Sequence, residues 1–328
     1  MIKRINIPGI WIGLIALYIV SVLLAPSMLS FTHLLNLLQI ASFLGVVALG
    51  QTLVILSGGI DLSVSGVIMM TNVLICYFMN GDSSNTLIAL AICTVAAIIA
   101  GVINGLLITK LKVIPLICTL AMSQILFGFA LIFTGGLPRG SVGAEFSVIG
   151  TGRLFSVIPV SFIIWFALAI GLYLLLRKTV FGRKVYAVGA NDKASWASGI
   201  SVAGTSIKIY VISALTAMVT GLLISAYVNI PSFGVGDPYA LNSVAAVVVG
   251  GTLLTGGVGS VISTVGGVLF VSQINALTNV LNVSTGGQLL IQGAIIIIGV
   301  ATTGSESPAK KLLKLFKANT ININEKGV

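Results

Sequence analysis

Charge is what this sequence has least of. Only 7% of its 328 residues are Asp, Glu, Lys or Arg, against roughly 25% in soluble domains. Seven residues are acidic and one, His33, is a histidine, so little is available for acid–base or metal chemistry. No Gly-x-x-x-x-Gly-Lys-Ser/Thr run is present to cradle ATP phosphates, and no His-Glu-x-x-His, Gly-x-Ser-x-Gly or Cys/His constellation occurs. The expectation is a chain that is no enzyme and binds no metal or cofactor itself. Cys76, Cys93 and Cys118 are odd in number and scattered through apolar segments. That excludes a fully paired disulfide framework, and they read as small buried hydrophobes.

What is abundant is hydrocarbon: 57% of the residues are hydrophobic and the mean hydropathy is +1.15. Many apolar runs approach or exceed the roughly 20 residues that cross a bilayer as a helix. They are continuous rather than alternating, which excludes a β-barrel. The expected fold is an all-α polytopic membrane protein, a single permease-like domain over 1–328. Its ten spans are expected near 10–25, 34–56, 63–79, 87–108, 114–134, 158–176, 207–226, 241–254, 260–281 and 288–303.

The net charge of +10 is distributed as the membrane demands, not as a nucleic-acid partner would. With the N-terminus inside and ten spans, Lys3, Arg4, Lys110, Lys112, the central polar stretch and the basic tail 304–328 all fall on the cytoplasmic side. Only Arg139 and Arg153 fall outside. An odd span number would put the tail outside, against the positive-inside rule. Both termini are therefore expected in the cytoplasm, the tail lying amphipathically on the inner surface.

The central stretch 177–206 is the one long polar passage between spans. It opens with Arg177-Lys178 and Arg183-Lys184 and continues as a short helix, with Asn191 as N-cap, Asp192 in the first turn and Gly199 as the stop. A polar helix this small is no domain. It is either a contact surface for a cytoplasmic partner or a solvated loop whose cations orient the neighbouring spans.

Inside the spans the polar groups are neutral: Gln51, Thr52, Asn72, Asn104, Ser123, Gln124, Asn242, Gln273 and Asn275. They suit passage of an uncharged, hydroxyl-rich solute, and they equally suit interhelical hydrogen bonds. Asp61 alone is an acid near the membrane core. Gly58-Gly59 ends the second span just before it, so Asp61 reads as a structural N-cap of the third, near the inner surface where water is close. Gly101 and Gly105 form a G-x-x-x-G that permits close helix approach. Spans two to five and seven to ten each contain a glycine-broken pair, the pattern of two inverted halves.

Several stretches together resemble the membrane subunits of bacterial ribose-type ABC importers. They are the block Gly50 to Val64 with its Gly-Ile-Asp-Leu-Ser-Val, then Pro115 to Leu120, then 179–200 with Gly-Arg-x-x-Tyr-Ala-x-Gly-x-Asn and Ser-Gly-Ile, and finally Gly250-Gly251-Thr252 with Gly256 to Ser260. They cover nearly the whole chain in the family's order. The chain departs from the family's usual residues at Ser65, Leu116, Phe127, Trp196-Ala197 and Ser263. The resemblance implies the ten-helix fold shared with cobalamin importers. It also implies a coupling helix carrying Gly189, Asn191, Asp192, Ala194, Trp196, Ser198 and Gly199, seated in a cytoplasmic ATP-binding subunit that consumes the ATP. A second permease copy or homologue and an external, periplasmic solute-binding protein would complete the machine, in the inner membrane of a bacterium. Two rivals are an ATPase-independent secondary transporter, disfavoured by the lack of ionisable groups in the spans, and a non-transporting scaffold, disfavoured by the paired halves.

Overall fold

The computed structural model describes residues 9–303; Lys3, Arg4 and the basic tail 304–328 lie outside the described residues. Thirteen helices follow one another in this region: α1 (Gly9–Leu24), α2 (Phe31–Leu56), α3 (Val64–Met79), α4 (Thr86–Lys110), α5 (Pro115–Thr134), α6 (Ala144–Thr151), α7 (Val160–Lys178), α8 (Val180–Ala190), α9 (Asp192–Ala197), α10 (Val202–Val228), α11 (Asp237–Val249), α12 (Val261–Val280) and α13 (Thr285–Thr303). A two-residue antiparallel pair, Arg153–Leu154 with Ile158–Pro159, sits between α6 and α7. The described residues are thus mostly helical, as in a polytopic membrane protein.

Local chemistry sets the helix ends. The side chain of Ser30 accepts from the His33 N–H at the start of α2, and Ser201 and Ser260 do the same for α10 and α12. Proline opens α5 and α11, where its missing N–H costs nothing. Asn80, Gly135 and Asn229 close α3, α5 and α10 in the left-handed conformation.

Each of the ten apolar stretches is largely helical. Among the described residues, six helices are long and apolar enough to cross a membrane: α2, α4 with the turn before it, α5, α7, α10 and α12. The 16 residues of α1 or of α3 rise only about 24 Å, short of a hydrocarbon core of about 30 Å.

The α2 and α10 helices form the centre; the most apolar windows of these two are 89% and 72% buried, against 28% for α4, α5 and α7. The packing is reciprocal. As α4 and α3 lie on α10, α12 and α11 lie on α2; as α5 lies on α3, α13 lies on α11. At the α4–α10 crossing the G-x-x-x-G meets backbone directly: a Cβ on Gly101 would come within 2.7 Å of Val211 Cα, and one on Gly105 within 2.7 Å of Ile207 Cα.

Three sequence expectations need correction. The eighth apolar stretch is helical as α11, beginning at Asp237 rather than 241, because Pro238 starts the helix early, and ending at Val249, because Gly250-Gly251 stops it with φ +93° at Gly251. The stretch 135–157 is no plain loop but holds α6. The central stretch contains a second helix, α8, whose entry is capped by Thr179 accepting from the Gly182 N–H.

Candidate functional site

One end of the bundle gathers the ends of α2, α4 and α7, the starts of α5 and α10, and the helices α8 and α9. Here lie Lys110, Lys112, Arg177, Lys178, Arg183, Lys184 and Lys193, while Asp82, Arg139, Glu145 and Arg153 lie toward the opposite end. Asn191 Oδ1 accepts from the Ala194 N–H at 2.9 Å, and Gly199, at φ +80°, ends the turn by donating to the Trp196 carbonyl. Asp192 Oδ1 accepts from the Lys193 N–H at 2.7 Å, and the Ser198 hydroxyl donates to the Ala194 carbonyl. Trp196 is 75% exposed. It borders a groove of about 780 Å³ that reaches Ser57 at the end of α2, Pro115 at the start of α5, Asp192 and Ser201.

This end is tied to the centre by backbone. The N–H of Gly257 donates to the Leu56 carbonyl at the end of α2, 2.9 Å away. Gly189 of α8 approaches the same carbonyl so closely that a side chain there would overlap it. The Tyr186 hydroxyl donates to the Gly259 carbonyl at 3.0 Å.

Two irregular links interrupt the centre. The first, 57–63, joins α2 to α3 and contains Asp61. Asp61 is 1% exposed, not at a watery surface as loop counting suggests; the residue before α3 is Ser63, whose own side chain makes no cap, and the Asp61 carboxylate takes the Ser63 N–H as the capping reading expects. Asp61 Oδ1 accepts from the Ser63 N–H at 2.9 Å and from the Ser63 hydroxyl at 2.5 Å. Oδ2 accepts from the Ser213 hydroxyl of α10 at 2.7 Å. Asn104 of α4 donates to the Ser63 hydroxyl at 2.9 Å, and the Leu62 N–H donates to Thr119 Oγ1 of α5 at 3.0 Å. Hydrogen bonds to a charged group are worth about 1.5–3 kcal/mol each. Three of them counter part of the cost of burying this carboxylate.

The second link, 229–236, joins α10 to α11 and is held by Asn72. Its amide donates to the Ser225 hydroxyl at 2.9 Å and the Ile230 carbonyl at 3.3 Å, and its oxygen accepts from the Ser232 N–H at 2.7 Å.

The other neutral polar residues divide by use. Thr52 is engaged across the α2–α12 contact, its hydroxyl 2.9 Å from that of Thr264. Gln51 and Gln273 are buried, without protein partners for their amides. Asn242 and Asn275 line a recess of about 400 Å³ between α2, α11, α12 and α13. Gln124 lines a separate recess of about 200 Å³ between α3, α5 and the start of α11. The structure therefore does not bring the pathway candidates to one place. Ser63 lies in the Gly-Ile-Asp-Leu-Ser-Val block, but Ser213 and Phe233 carry no signal, because lone hydroxyls and aromatics in apolar runs form no pattern.

Comparison with known proteins accounts for this arrangement. Residues 33–300 match the family model described as the branched-chain amino acid transport system / permease component. The ribose import permease protein RbsC of Bacillus subtilis is 37% identical over 313 residues, covering 91% of this chain and 94% of that protein. The galactose/methyl galactoside import permease protein MglC of Escherichia coli K12 is 32% identical over 321 residues, covering 92% and 95%. The L-arabinose transport system permease protein AraH of the same strain is 31% identical over 305 residues, covering 92% of each. No solved structure matches. With a family match over most of its length and relatives of this identity along nearly all of it, the chain belongs to the permease family of ribose-type ABC importers, the membrane subunits through which those importers pass their cargo.

Proposed function

We propose that the chain, as one of two permease copies or homologues in an ATP-driven importer, carries a sugar or sugar-like neutral solute inward. The observation that carries this reading is the α8–α9 pair. It is a polar element that projects an exposed Trp196 over an open groove at the cation-rich end, suited to docking a separate ATP-binding subunit. That subunit supplies ATP hydrolysis, and this chain holds no cofactor of its own. The Leu56–Gly257 and Tyr186–Gly259 bonds supply a rigid route from the dock to α2 and the link after it.

The same charge asymmetry supports ten spans with both termini in the cytoplasm of a bacterium. The reciprocal packing of α2–α5 and α10–α13 supports two inverted halves of the cobalamin-importer type. Relatives named for ribose, galactose and L-arabinose make monosaccharides the first solutes to try, delivered by a periplasmic binding protein.

The test is uptake of labelled D-ribose, D-galactose and L-arabinose by the full complex, with and without the ATPase chain, in uncoupler-treated vesicles. Uptake is expected to survive the uncoupler and to vanish without the ATPase. Trp196→Ala, truncating an interface anchor worth about 2 kcal/mol or more, is expected to leave insertion intact and lower uptake at least about ten-fold. Uptake that persists without the ATPase would sink the reading. Thiol labelling from outside is expected to reach Ser83→Cys and to miss Lys193→Cys.

A further inference from the structure

The starts of α3 and α11 meet inside the bundle. Gly236, the residue before α11, lies so close to the Ser65 carbonyl in the first turn of α3 that a side chain there would overlap it. From this meeting point α3 runs toward one end of the bundle and α11 toward the other, so two helix N-termini converge at an interior level. Beside them is the recess of about 200 Å³, several times the ~30 Å³ share of one water.

Its wall has a specific chemistry. Ser65 and Ser123, each only 8% exposed, pair hydroxyl to hydroxyl at 2.9 Å. Gln124 and the Asp237 carboxylate are exposed and border the same space. Phe127 and Phe233 close one side, edge to face with centroids 5.9 Å apart. A carboxylate accepts only, an amide both donates and accepts, and the serine hydroxyls do either. Two aromatic rings offer an apolar surface to C–H groups. Few polar groups set against an aromatic wall make a small-ligand site, and the partially positive helix starts make the carboxylate tolerable there.

We propose that this recess is the solute's holding point within the permease and that it selects a neutral polyhydroxylated ring. Adjacent hydroxyls donate to Asp237, Gln124 bonds a further hydroxyl, and the ring's C–H face lies on Phe127 and Phe233. The inference rests on the importer reading above and adds the residues that recognise the cargo.

The experiment uses the full complex with its native cysteines replaced. Ser65→Cys and, as a second position, Ser123→Cys, which line the recess without being assigned a bond to the sugar, are modified with a charged methanethiosulfonate reagent in the presence and absence of D-ribose, D-galactose or L-arabinose. The sugar that the parent complex takes up is expected to slow modification at both positions about ten-fold. It should leave Asp82→Cys, on the α3–α4 turn, unaffected. Adding Phe127→Ala is expected to remove most of the protection. Equal modification rates with and without a sugar that the parent complex transports would overturn the site while leaving the importer reading in place. A parent complex that takes up none of the three would overturn the importer reading and this inference with it. Uptake ratios between each sugar and its deoxy analogue, compared within one membrane preparation, are independent of expression level. They are expected to shift toward the deoxy analogue in Asp237→Asn, and an unchanged ratio counts against the site.

Discussion

The links at 57–63 and 229–236 pose one problem, irregular backbone amid membrane helices, and the chain meets it with different chemistry in each. The first alternates buried and half-buried residues from Gly59 to Ser63 and is organised by a carboxylate within it, which collects three donors from Ser63 and Ser213. The second is mostly exposed or half-buried and is organised from outside, by the Asn72 amide reaching over from α3. Unpaired backbone groups in an enclosed link have nowhere to turn, so a strong acceptor with several lone pairs is placed among them. In the more open link, one amide fixes the path and the remaining groups face outward.

That contrast can be broken in three ways. The largest effect is expected from Asp61→Leu. It strands the Ser63 N–H and the Ser63 and Ser213 hydroxyls, at about 1–3 kcal/mol for each buried unsatisfied group. The loss of about 3–9 kcal/mol should show as failed expression or a collapsed thermal midpoint in detergent. A midpoint near that of the parent would mean that the carboxylate does not organise the link. Asn72→Leu is expected to cost less, about 2–3 kcal/mol, since the groups it releases lie nearer open space. If it proves as damaging as Asp61→Leu, the enclosure of the two links is not what distinguishes them. The smallest effect is expected from Asp61→Asn. Its oxygen still accepts from Ser63, so a loss of about 1 kcal/mol with most uptake retained is the expected result. Normal insertion with abolished uptake would show that the charge itself serves transport.

Much of the fold was legible in the sequence because membrane physics leaves few choices. Continuous apolar runs, the glycine pair at Gly101 and Gly105, and the Asn191-to-Gly199 capping pattern each follow from one local rule. The departures have local causes too. The helix α8 was hidden because its cations and glycines resemble a loop while its amphipathic face needs the α2 end to pack on. Asp61 was placed too near the surface because counting residues along a loop ignores that the loop can fold inward. The recess lined by Ser65, Gln124, Phe127, Phe233 and Asp237 was the least legible feature. Its residues come from three segments, Ser65 and Gln124 about sixty positions apart and Phe233 more than a hundred further on, and the packing of α3 on both α5 and α11 joins them.

The bond from Gly257 to the Leu56 carbonyl also sets a clock. A ribosome adding about 5–20 residues per second reaches Gly257 some 201 residues after Leu56 (257 − 56), or about 10–40 s later. Until then the carbonyl that ends α2 has no partner, although every residue lining the groove beside α9 is already made by Ser206. The end of α2 is therefore completed only once α10 and α11 have been made, so that one of the first helices to be synthesised is among the last to be tied in place.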